Sequence, residues 1–142
     1  MNRSRQVVAA AAALTVLAEA VGLGGMHWVL GLAVRAQEMS LAGLSTSTMS
    51  ASVWVGGALL AVFLLACAGA LALVALRDRL GGRWSRALIV GALVTQAVLA
   101  VIAVGMVGWW AFAALMALFG LLLLTLCFSY PSPAGAPGPV AA

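Results

Sequence analysis

Few residues in this 142-residue chain have side chains suited to chemistry. There are three acidic residues, one histidine, two cysteines and one tyrosine, and all seven Lys/Arg positions are arginine. Glu19 is the most unusual of these because it stands midway through a long apolar stretch, in Leu14-Thr15-Val16-Leu17-Ala18-Glu19-Ala20-Val21-Gly22. A carboxylate in such a setting is costly, so the group must be neutral, partnered or turned to water, and it marks a functional site by default. Gln96 is the one strongly polar side chain of a second apolar stretch, with Ala92 and Ala100 four residues to either side. A neutral Glu19 could donate to or accept from that amide, which makes Glu19 and Gln96 a candidate polar pair. Thr15 and Gly22 fall on the face of Glu19 and are expected to look inward with it.

The remaining candidates are weaker. Cys67 and Cys127 lie in apolar surroundings with no second ligand type at metal spacing, which reads as packing. His27 has no ligand-type residue three or four positions away. One buried carboxyl, one histidine and two separated cysteines supply no nucleophile, base and orienting group. The chain is therefore expected to be no enzyme, with no cofactor and no metal site.

The elements that must position Glu19 and Gln96 follow from composition. The chain is 65% hydrophobic and 7% charged, whereas soluble domains carry about 25% charged residues. So few charges cannot cover a water-facing surface, and lipid must do it. Four apolar runs are long enough to span a bilayer, at about residues 7–34, 53–76, 87–107 and 109–128. The first has a basic start and an Ala18-Glu19-Ala20 sequence resembling a signal-peptide cleavage site. Its apolar character continues unbroken to Val34, which favours a membrane helix. The expected fold is all-α, an integral membrane four-helix bundle over residues 1–130, followed by a Pro/Gly/Ala tail at 131–142 that is expected to be disordered.

The loops set the expected orientation. Arg77, Arg79, Arg83 and Arg86 crowd the second loop, Arg3 and Arg5 precede the first helix, and Arg35 alone falls on the other side. The positive-inside rule then puts both termini in the cytoplasm of a multi-pass cell-membrane protein. The four loop arginines are also candidate contacts for anionic lipid. Because the arginines flank apolar helices and form no basic stripe, nucleic acid is not an expected partner. Between helices one and two, the Ser/Thr-rich stretch reads as a loop. Arg35 and Glu38 there could pair at i+3, and Ser50 or Ser52 could cap the next helix. Small residues recur on helix two at Gly57, Ala61, Ala68 and Ala72, and on helix four at Ala113, Ala117 and Gly120. Such faces let another helix approach closely.

Two resemblances follow. Glu19, the Gly82-Arg83-Trp84-Ser85-Arg86 turn, Val94-Thr95-Gln96 and Ser129-Tyr130-Pro131-Ser132 together resemble a group of actinobacterial four-helix membrane proteins of unassigned activity. That resemblance covers most of the chain and implies architecture without function. Ala18-Glu19-Ala20-Val21-Gly22 also resembles the helix-one glutamate segment of the small multidrug resistance transporters, which would imply a proton-coupled carrier. The chain departs from that family in lacking its helix-one lysine and its third-helix tyrosine and Trp-Gly features. The six-to-one arginine bias also disfavours a dual-topology dimer.

The expected role is a helix-packing accessory or scaffold subunit, with the lipid bilayer and a second membrane protein or copy of itself as partners. The alternative is a small proton-coupled transporter using Glu19.

Overall fold

The computed structural model describes residues 3–38, 43–77 and 82–128. Four helices follow one another: α1 (Arg3–Ala36), α2 (Thr46–Arg77), α3 (Gly82–Met106) and α4 (Trp109–Phe128). All four are long and apolar enough to cross a membrane. Neighbours run antiparallel. Gly24 meets Ala61, His27 meets Gly57 and Gly31 meets Trp54, while Phe63 meets Gly91 across α2 and α3. The helices close a ring in which α1 packs on α2 and α4, and α3 on α2 and α4, so that α1 and α3 stand at opposite corners.

The inward faces repeat at helical spacing. Ala12, Val16 and Ala20 on α1 face Leu64, Cys67 and Leu71 of α2, Ile89 and Ala92 of α3, and Leu118 and Leu122 of α4. Much of the outer surface between the helix ends is aliphatic, with Leu14, Val21, Leu59, Val62 and Val101 all exposed. A folded protein buries such side chains unless hydrocarbon surrounds it.

Three helix boundaries differ from expectation. The hydroxyl-rich residues 46–52 form the first two turns of α2, because Ser45 caps the helix at an earlier point. Its Oγ accepts the Thr48 N–H at 3.3 Å, and the Met49 N–H bonds its carbonyl at 3.0 Å. Ser50 and Ser52 do not cap; their hydroxyls bond back to the carbonyls of Ser47 and Thr48. α3 begins at Gly82, so Arg83 to Arg86 is its first turn. α1 runs on to Ala36, and in the turn beyond it Glu38 takes a left-handed conformation, φ 48°. The α3–α4 turn is tight. Gly108 takes φ 113°, open to glycine at no steric cost, and its N–H closes α3 on the Ala103 carbonyl at 2.8 Å. Arg79 and the tail at 131–142 lie outside the described residues.

Candidate functional site

The structure brings Glu19 and Gln96 together. Gln96 is fully buried, 0% exposed, between the buried Ala92 and Ala100, whose methyl groups leave room for its amide. Its Nε2 donates a hydrogen bond to Oε2 of Glu19. Because α1 and α3 occupy opposite corners, this bond runs through the middle of the bundle. The other oxygen of each group, Glu19 Oε1 and Gln96 Oε1, is buried without a hydrogen-bond partner. A carboxylic acid, unlike a carboxylate, brings a donor of its own to such a site.

The strip expected to accompany Glu19 does not point inward. Thr15 and Gly22 are exposed, and the Thr15 hydroxyl bonds the Ala11 carbonyl of its own helix at 2.8 Å. Glu19 stands at the edge of the alanine face and reaches in from there. A threonine can satisfy its hydroxyl on the preceding turn, so it need not follow a buried carboxyl.

A second constellation lies at the end of the bundle where α1 runs into α2. The Trp54 indole fills the gap left by Gly31, where a Cβ would overlap it. Its Nε1 donates to the Trp28 carbonyl at 3.1 Å, and the Trp28 and Trp54 rings stack with centroids 5.4 Å apart. One turn further, the Arg35 guanidinium lies 5.5 Å from the Trp54 ring centroid. Arg35 takes this cation–π position and does not pair with Glu38. His27 packs against Gly57 and its Nδ1 meets the Leu23 carbonyl at 2.8 Å. Nδ1–H is therefore the donor, because a carbonyl oxygen only accepts. A cavity of about 350 Å3, lined by Gly24, His27, Trp28, Trp54, Ala58 and Ala61 among others, opens below the indoles. The sequence reading noted these residues singly. The signal for their meeting was Gly24, Trp28, Gly31 and Arg35, which recur at helical spacing opposite Trp54.

The other candidates are apart from both sites. Cys67 is buried and its Sγ lies 3.4 Å from the Leu88 carbonyl, while Cys127 is exposed. Arg77, Arg83 and Arg86 share the end of the bundle with Arg3 and Arg5, and Arg83 lies over Trp84 at 5.6 Å. Among the described residues, no three of His, Cys, Asp and Glu converge as metal ligands would. On α4 two of the three small residues face outward, and Gly120 is half-buried. Leu118, Leu122 and Thr125 are buried, while Ala113 and Ala117 are exposed. Comparison of the chain with protein-family models, curated proteins and solved structures returns no match.

Proposed function

We propose that this is a multi-pass cell-membrane protein without catalytic activity that works by helix packing, as an accessory or scaffold subunit. The observation that carries this reading is the state of the two mid-bundle polar groups. Glu19 and Gln96 are engaged with each other, and neither lines any of the described cavities. The outward Ala113 and Ala117 add a face on α4 that a further helix can approach closely. The resemblance to the actinobacterial four-helix group supports the same architecture. The clustering of Arg3, Arg5, Arg77, Arg83 and Arg86 at one end supports a cytoplasmic placement of that end and of both termini. It also offers anionic lipid a set of contacts.

Purification of the tagged chain from its native membranes into nanodiscs tests the role. A stoichiometric membrane partner or second copy should be retained, should crosslink through Ala117→Cys, and should be lost in Ala117→Leu. A lone chain, indifferent to Ala117→Leu, would overturn the reading. Reporter fusions should read cytoplasm at Gly81-Gly82 and after Ala142, and the outside near Ser47; the reverse would overturn the orientation.

The two unpartnered oxygens, Glu19 Oε1 and Gln96 Oε1, favour a second reading, a proton-coupled transporter in which Glu19 carries the proton. Glu19→Gln separates the two, because it keeps hydrogen bonding and removes proton exchange. Loss of function with assembly intact would favour transport.

A further inference from the structure

At the Arg35 end, we infer that α1 and α2 form a binding site for one phospholipid whose zwitterionic headgroup ends in a primary ammonium. The site is ordered along the helices as such a lipid is ordered along its own length. A polar cavity of about 510 Å3 is lined by Arg35, Glu38, Ser45, Thr46 and Ser47. Next comes the Trp54–Trp28 stack, with Arg35 over Trp54. Below it runs the apolar cavity of about 350 Å3, floored by Gly24, Gly57, Ala58 and Ala61. From Arg35 to Gly24 is eleven residues of α1, about 16 Å at 1.5 Å per residue, of which about 6 Å, from Trp28 to Gly24, lies below the indoles. Indole rings sit at the headgroup level of bilayers, which places the polar cavity among headgroups and the apolar one among acyl chains.

Charge selects the headgroup. Arg35 is a fixed cation and Glu38, three residues on, an anion. Both are exposed, and among the described residues neither is held in an ion pair. A phosphate on Arg35 and an ammonium on Glu38 satisfy both at once, and the Thr46 hydroxyl also lines the cavity, those of Ser45 and Ser47 being bonded to each other. An anionic headgroup would leave Glu38 facing like charge, and a quaternary ammonium has no N–H to give it. Gly24 and Gly57 line the groove with backbone, His27 packs on Gly57 beside it, and the Trp54 indole seated on Gly31 forms its upper rim.

Quenching by bromine-labelled lipid tests the site. The full chain with Trp84, Trp109 and Trp110 replaced by phenylalanine reports only from Trp28 and Trp54. It is reconstituted in phosphatidylcholine vesicles doped with a brominated-chain lipid. Brominated phosphatidylethanolamine should quench more strongly at a given mole fraction than brominated phosphatidylglycerol or phosphatidylcholine, and unlabelled phosphatidylethanolamine should reverse it. Arg35→Gln should weaken the apparent affinity by roughly fivefold, the usual effect of one basic residue at a membrane surface. Glu38→Gln should erase the preference for ethanolamine over glycerol headgroups. Ala58→Phe, on an exposed position of the groove floor, should abolish the excess quenching for every headgroup while leaving helix content unchanged. Equal quenching by all three lipids, or quenching indifferent to Arg35→Gln, would overturn the proposal.

Discussion

Along the α1–α2 seam the helices meet where side chains are missing. Gly31 receives the Trp54 ring and Gly57 receives His27, with no space for a Cβ at either glycine. Across the α1–α3 diagonal they meet through two long polar side chains, Gln96 donating to Glu19, with two oxygens of that pair left unpartnered. The seam is defined by shape and the diagonal by hydrogen-bonding chemistry. In hydrocarbon this difference matters, because apolar surface gains little by leaving lipid. Close packing and interhelical hydrogen bonds are then what hold helices together. The seam should therefore be intolerant of added volume, and the diagonal of lost polarity.

The largest effect is expected at the seam. Gly57→Leu forces a side chain into space held by His27, and overpacking of this kind costs about 1–3 kcal/mol. Here the upper part of that range is expected, because the overlap begins at the His27 Cβ and no rotamer removes it. Unfolding in mixed micelles should show the loss. Gly57→Ala combined with His27→Gly should regain most of the stability lost in Gly57→Ala alone. If His27→Gly gives no relief, the seam is not held by this interdigitation.

The next effect falls on the diagonal. Glu19→Leu removes the acceptor from a Gln96 that is wholly buried. Leaving one partner of a buried hydrogen bond unsatisfied costs about 1–3 kcal/mol. The same unfolding measurement should find Glu19→Leu destabilised and the double variant Glu19→Leu/Gln96→Leu less so, since the second change removes the orphaned amide. Equal stability of Glu19→Leu and the parent would show that the bond contributes nothing to holding α1 and α3.

These two regions were unequally legible in the sequence. The diagonal could be read because polar residues are rare in apolar helices and depth follows from counting residues. Glu19 and Gln96 are each near mid-span, and the ring of four helices brings them level. The face of Glu19 could not be read, because Thr15 satisfies itself on its own helix and so carries no inward signal. On α4, Ala113, Ala117 and Gly120 make a small-residue face, yet Leu118 and Leu122 fill the core. Small residues show where a helix can come close, and leave open whether the neighbour belongs to this bundle. The seam was hidden because a glycine's partner is fixed by register. Register across α1 and α2 depended on α2 starting at Thr46, and Ser45 supplied that cap within what looked like loop.

The smallest predicted effect separates pairing from mere compatibility. Exchanging the partners, Glu19→Gln with Gln96→Glu, keeps one carboxyl and one amide on the same diagonal. Glu19→Gln alone leaves two amides and Gln96→Glu alone leaves two carboxyls, each able to form one bond if a carboxyl is neutral. Hydrogen bonds between membrane helices average only about 0.6 kcal/mol in double-mutant cycles. The cycle built from these variants should therefore give a coupling near that figure, with the exchanged protein closer to the parent than the sum of its single changes. Two carboxyls this close cannot both ionise without repulsion, so Gln96→Glu should lose stability as pH is raised, while Glu19→Gln, with no carboxyl left on the diagonal, should not. Strict additivity would mean that each residue finds its own partner and that the diagonal is held by the surrounding alanines and leucines. A coupling about twice as large would mean that Glu19 is ionised in the parent, since charge-assisted bonds are roughly twice as strong as neutral ones. That outcome would shift the weight of the argument from packing toward proton exchange at Glu19.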